Sequence, residues 1–144
     1  MAQYLESIVT LANSINAVSG TPLSAVTLTL PPGDWVVDAE AWINIQSGTP
    51  AVNFIADQLT LNPDAMMLND PAGDNSTNVI TLSMSPSAKA TAGWVLPLAS
   101  NYNVSGNNVI ANLLIRVDWT ATGTFKLYGM ISARKSDVPM LPVA

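Results

Sequence analysis

The chain has 144 residues, of which 49% are hydrophobic and only 10% charged, and its formal net charge is −5. It contains neither cysteine nor histidine, which excludes disulfides, thiolate nucleophiles, histidine acid–base catalysis and most zinc or copper sites. The length fits one domain with a proper core. A charged fraction this far below the roughly one quarter usual in soluble domains implies a surface of Ser, Thr, Asn and Gly, or a surface covered by a partner.

The charges are unevenly placed. All five bases (Lys89, Arg116, Lys126, Arg134, Lys135) follow position 88, and eight of the ten acids precede position 75. Two oppositely charged halves attract each other, within a subunit or between subunits, and the basic stripe of a nucleic-acid binder is missing. The segment MAQYLESIV has no basic region ahead of an apolar one, so it does not read as a secretory signal. No apolar run approaches ~18 residues, so no membrane-spanning helix is expected. A product made and kept in a cytoplasm until assembly fits this pattern.

In chain order, residues 1–22 stand apart as an N-terminal arm or short helix. Tyr4, Ile8, Leu11, Ile15 and Val18 recur at spacings of 4, 3, 4 and 3, a heptad-like stripe suited to a small helical bundle. Two heptads are marginal as a free helix, so a β-arm or short helix packed on its own domain is the competing reading. Ser19-Gly20-Thr21-Pro22 turns the chain.

From Ser24 the period becomes two. Val26, Leu28 and Leu30 alternate with Thr27 and Thr29, and Pro31-Pro32-Gly33-Asp34 breaks the run. The next strand sets Val37, Ala39, Ala41, Ile43 and Ile45 on one face and Asp38, Glu40, Trp42, Asn44 and Gln46 on the other, the pattern of a half-buried antiparallel strand. After the turn Ser47-Gly48-Thr49-Pro50, a strand over Val52 to Leu61 alternates imperfectly, which points to a bulge. A loop from about Asn62 to Asn78 is rich in Asp, Asn, Pro and Gly and holds an apolar Met66-Met67-Leu68 plug. Ile80, Leu82 and Met84 mark a short strand, and Ser85 to Thr91 a loop. Trp94, Leu96 and Leu98 mark another strand, whose Pro97 places it at an edge or an end. Ser100 to Asn107 reads as a turn. Two long strands follow, with Val109 to Trp119 and Phe125 to Ala133 alternating inward, and the short Thr120–Thr124 link predicts that they form a hairpin. Residues 136–144 hold two prolines and no pattern, and read as an extended C-terminal arm. Turns every eight to twelve residues make residues 23–135 an all-β, antiparallel jelly-roll sandwich of about eight strands.

Two stretches carry a resemblance. Leu28-Thr29-Leu30-Pro31-Pro32-Gly33-Asp34-Trp35-Val36-Val37 is similar to the opening, and Leu127-Tyr128-Gly129-Met130-Ile131-Ser132-Ala133-Arg134-Lys135 to the closing strand, of a group of small phage virion proteins. That group resembles the trimeric jelly rolls of the tumour necrosis factor and C1q type. It supplies head decoration proteins and globular tips of fibres and spikes. The resemblance spans roughly Ser24 to Lys135, and the acidic Asn62 to Asn78 loop departs from it. It implies a homotrimer that decorates or cements a phage capsid, partnered with the major capsid protein and located on the capsid surface of the virion. The alternatives are a receptor-binding tip of a tail fibre or spike, and a carbohydrate-binding module. The brevity of the segment before the first sandwich strand favours decoration.

The resemblance also implies that the Asp38 strand and the last strand are neighbours. Asp38 or Glu40 is then expected to approach Lys126 or Arg134 across strands, a contact type contributing roughly 0.2–1 kcal/mol. Trp42, Tyr128 and Met130 are left on the outer face as an interface, joined by Tyr4, Ile8, Leu11 and Ile15 of the arm. No catalytic constellation, phosphate loop, cofactor site or metal site is expected. Asp38 and Glu40 beside Trp42 would suit sugar chemistry only inside a cleft. Asp57, Asp64, Asp70 and Asp74 match no calcium-loop spacing and read as solvated acids. The sequons at Asn75 and Asn103 mean little without a secretory leader.

Overall fold

The computed structural model describes residues 3–48, 50–61, 76–83 (backbone alone), 93–120 and 122–136. The described chain is two antiparallel sheets packed face to face. In order, the elements are β1 (Tyr4–Val9), a 3-10 turn (Leu11–Asn13), β2 (Ile15–Asn16), β3 (Leu23–Leu30), β4 (Gly33–Gly48), β5 (Ala51–Thr60), β6 (Ser76–Ser83), β7 (Trp94–Val104), β8 (Val109–Thr120) and β9 (Gly123–Lys135). The first sheet runs β1-β9-β4-β7, with β2 also on β9, and the second runs β3-β8-β5-β6. From β3 onward the chain changes sheet at every connection except β5 to β6, which is jelly-roll winding.

Alternation explains most of these strands. On β4, Trp35, Val37, Ala39, Ala41 and Ile43 are buried, while Asp38 and Trp42 are exposed. On β9, Phe125, Leu127, Ile131 and Ala133 are buried. These side chains meet Val26, Leu28 and Leu30 of β3 and Leu113, Ile115 and Val117 of β8 in one core. Each such side chain contributes roughly 1.5–3 kcal/mol on leaving water. The imperfect pattern of β5 is a bulge, because its register to β8 slips between Val52 and Phe54. Strand β7, with its Pro97, lies at a sheet edge.

The break at Pro31–Asp34 anchors the sandwich. Trp35 is buried, and its indole Nε1 donates to the Pro31 carbonyl at 2.7 Å. The Pro-Pro-Gly turn thereby clips onto the core through the next strand. Trp35→Phe keeps the ring burial and leaves that carbonyl without its donor. It should cost about 1–2 kcal/mol in urea unfolding.

Three sequence expectations need correction. The spacing of Tyr4, Ile8, Leu11 and Ile15 does not build a helix. β1 pairs along the free edge of β9, Tyr4 opposite Arg134 and Ile8 opposite Met130, and β2 sets Ile15 opposite Leu127. Strand parity then turns Leu5 and Val9 toward the core, and leaves Tyr4 61% and Ile8 56% exposed. Second, β8 and β9 form no hairpin: β8 belongs to one sheet and β9 to the other, so the Thr120–Thr124 link crosses the sandwich. Each strand finds a non-local partner, β3 and β5 for β8, β4 and β1 for β9. Third, β7 continues through Ser100–Val104, pairing with Gly33–Val37, so the turn begins only at Ser105. The Met66–Leu68 plug, the 85–91 loop and the arm beyond Ser136 lie outside the described residues.

Candidate functional site

The register of the first sheet assembles an outer face in rows. The row through Arg134 runs Tyr4, Arg134, Val36, Asn101; the next runs Glu6, Ser132, Asp38, Ala99. Then come Ile8, Met130, Glu40, Pro97, and beyond them Tyr128, Trp42, Val95. Asn16, Lys126 and Asn44 close the series. Five residues that the sequence singled out for an interface, Tyr4, Ile8, Trp42, Tyr128 and Met130, therefore share one surface. Leu11, in the 3-10 turn, is exposed. Ile15 is partly buried against the core, which withdraws it from that surface.

Trp42 and Tyr128 face each other across β4 and β9 and stack, with ring centroids 5.8 Å apart and planes at 21°. The Trp42 indole N–H donates to Glu40 Oε1 at 2.8 Å, which ties the ring to its own strand. Trp42 remains 39% exposed. With Val95, Pro97, Met130 and Ile8 it makes two neighbouring apolar rows on a surface facing away from the core. Stacked aromatics of this kind hold a large contact area in place at low entropic cost.

Glu40 stands within one of these rows, and the other charges flank them. β4 carries Asp34, Asp38 and Glu40 outward and no base, whereas β9 carries Lys126 and Arg134 outward and no acid. The expected direct facing of these groups needs correction. Asp38 lies opposite Ser132 and Glu40 opposite Met130, while Arg134 lies opposite Val36 and Lys126 opposite Asn44. Asp38 lies one row from Arg134 and Glu40 two rows from Lys126, so among the described residues of these two strands no acid stands squarely across from a base. Among the described residues the salt bridge is Arg116–Asp118 at 2.8 Å, on the other sheet, where Arg116 also covers the Phe54 ring. Elsewhere on the face, the Tyr4 hydroxyl donates to Glu6 at 2.6 Å, and the carboxylate holds the phenol proton, raising the Tyr4 pKa. The amide of Asn103 donates to Asp34.

Trp94 and Trp119 are not part of this surface. Both pack on Phe125 inside one end of the sandwich, Trp119 edge-on at 4.8 Å. The relief of the face is slight: a shallow depression of about 60 Å³ lined by Asp38, Ala39, Glu40 and Met130. No group of three metal-ligating side chains occurs among the described residues.

Asp57 departs most from its sequence reading. It is not solvated: it lies mid-strand in β5, within the strand expected over Val52 to Leu61, opposite Ile115 and between the core residues Ile55 and Leu59. It is 0% exposed, and neither carboxyl oxygen has a hydrogen-bond partner. Burial pushes its pKa up to about 8. The sequence signal was present in the run Phe54 to Leu61, where one acid sits among apolar and β-branched residues without any turn-forming neighbour. Asp64, Asp70 and Asp74 lie outside the described residues.

No family model matches the chain, and no curated protein does. Its fold is similar to that of chains from infectious bursal disease virus. A structure of the Gx strain aligns over 95% of this chain and 32% of the viral chain, with a TM-score of 0.51 and 8% identity. The VP2 subviral particle aligns over 93% and 33%, with a TM-score of 0.51 and 9% identity. A mutant VP2 in derived T=1 particles aligns over 93% and 32%, with a TM-score of 0.51 and 11% identity. The chain spans about a third of the length of the viral chains it matches. What it shares with them is the fold: an all-β, antiparallel sandwich of about eight strands.

Proposed function

We propose that this chain is a phage virion structural protein that assembles as a homotrimer and decorates or cements the head lattice built by the major capsid protein. The observation that carries the reading is the outer face of the first sheet. A broad, nearly flat surface holding Trp42, Tyr128, Met130, Ile8 and Val95 suits a protein–protein contact. Its likeness to the fold of chains taken from viral particles supports the same role. The mechanism is added interface. Each subunit bridging two lattice neighbours contributes buried area that expansion or internal pressure must break, and no reaction is involved.

Quantitative mass spectrometry of purified particles tests this. Copies on the order of hundreds per particle are expected for a lattice decoration; a handful would move the protein to a fibre or spike, and absence would end the virion reading. One observation favours a second reading. Trp42, exposed beside Asp38 and Glu40, is also an aromatic side chain on which a sugar ring could stack, as a receptor-binding tip or carbohydrate-binding module requires. Glycan binding that is lost in Trp42→Ala would favour it.

A further inference from the structure

The outer face of the first sheet divides lengthwise into an acidic half on β4 and β7 and a basic half on β9 and β1. We propose that the acidic half of one copy docks on the basic half of a second copy, so that Asp38 and Glu40 meet Lys126 and Arg134 between chains rather than within one. The inference rests on the assembly reading above and deepens it by naming the occupant of the face and the contacts that select it.

Three observations carry it. The first is the register. The displaced rows leave Asp38, Lys126 and Arg134 without an ion-pair partner among the described residues. Glu40 accepts from the Trp42 N–H.

The second is complementarity. β7 brings no charge to the outer face, with Val95, Pro97, Ala99, Asn101 and Asn103 there, so its half is purely acidic. On the other half, the Glu6 carboxylate accepts from the Tyr4 hydroxyl and keeps its charge, and Lys126 and Arg134 together outweigh it. A surface carrying both signs in separate halves is complementary to another copy of itself.

The third is area. Strands about 4.8 Å apart and two-residue rows about 6.8 Å apart make the apolar rows roughly 300 Å². That is well short of the roughly 800 Å² per partner of a stable interface. The whole face, some 20 Å by 35 Å by the same spacings and shared in a trimer between two neighbours, comes near it. A stable contact must therefore extend over the charged rows as well. Carboxylates brought into such a contact without bases opposite would oppose binding, so the second copy has to present β9 to β4. Charge then sets the register, while Trp42, Tyr128 and Met130 supply the contact.

Sedimentation velocity on the full chain at tens of micromolar, in low and high salt, tests this. Wild type should self-associate, and more weakly in high salt. Asp38→Lys with Glu40→Lys, and separately Lys126→Glu with Arg134→Glu, should each weaken association by about tenfold or more. Combining all four substitutions exchanges the halves and should restore association to within about threefold. All four side chains lie on the outer face, and the combined variant shows whether a loss came from misfolding. A monomeric wild type at these concentrations, half-reversals that associate like wild type, or a combined variant that stays dissociated would each overturn the proposal. The assembly reading fails separately. Protein that is missing from particles while the charge exchange behaves as described sinks that reading alone. Protein abundant in particles whose association ignores the charge reversals sinks this inference alone.

Discussion

Asp57→Val should stabilise the protein, and the gain should grow with pH. The Asp57 carboxyl lies between Ile55 and Leu59 against Ile115, with neither oxygen hydrogen-bonded. Its pKa rises from 3.8 to about 8 because burial disfavours the charge. The sign follows from proton binding. Below pH 4 both folded and unfolded chains hold the proton, and the group costs nothing through ionisation. Between pH 4 and pH 8 the unfolded chain ionises while the folded chain keeps its proton, so stability falls as pH rises. Above pH 8 both are ionised and the loss levels off. At about 1.4 kcal/mol per pH unit, the penalty at pH 7 is on the order of 4 kcal/mol. Asp57→Val removes it and supplies a β-branched apolar side chain to a core strand. Asp57→Asn also removes the titration but leaves its amide to be satisfied, so a smaller gain of roughly 2 kcal/mol is expected. Urea unfolding at pH 5, 7 and 9 checks both. Wild-type stability that is flat across that range would mean the carboxyl is solvated or paired.

Gly129→Ala should disrupt the candidate surface from the buried side of β9, because the residue lies between the two interface side chains Tyr128 and Met130. Its φ is +153°, and a Cβ built there would come within 2.1 Å of the Glu40 carbonyl oxygen and 3.3 Å of the Ala41 Cα. These are backbone atoms of β4, the central partner of β9, and cannot move aside without opening the pairing. A cost of about 3 kcal/mol or more is expected, with loss of self-association following from loss of the sheet. Gly106→Ala is the control. It has φ +86° and nothing within 4 Å of its added Cβ, so only the backbone preference is lost, roughly 1 kcal/mol. Equal effects at the two sites would show that conformational preference, not the close approach of β4, sets the requirement for glycine.

How much of this was legible depends on whether the determinant is local. Alternation along residues 35–45 gave β4 and both its faces, because the period of a strand is written in the strand itself. Alternation likewise put Tyr128 and Met130 on the outer face of the last strand, while the neighbouring of the two strands was what the resemblance implied. What alternation cannot carry is the identity of the neighbour. The link through Gly123 has the length and composition of a hairpin turn, yet β8 and β9 belong to different sheets, since both had better partners far away in the chain. The Asp38 and Glu40 pairings failed on a similar point. The faces were right, but cross-strand register is fixed by the whole β4–β9 ladder, including its slip between Ile45 and Ser47. In the N-terminal segment a 4-3-4-3 spacing coincided with a strand, a 3-10 turn and a second strand. The alternation of Leu5, Ser7 and Val9 was the truer signal there. Asp57 was read as solvated although its strand was expected, because that strand is buried on both faces at this point, which removes the polar alternation that would have shown which way the acid faces.

The crossing between β8 and β9 also fixes an order of events. Apart from β5 with β6, every pairing joins strands that are not successive in the chain, and such topologies fold slowly because distant segments must meet first. On the ribosome, β1 and β4 emerge early but share a neighbour, β9, which ends at Lys135. The surface carrying Trp42 and Tyr128 is therefore not assembled until nearly all of the described chain has been made. A nascent subunit has no completed face to offer a sibling on the same message, so recognition between copies is deferred until each is folded.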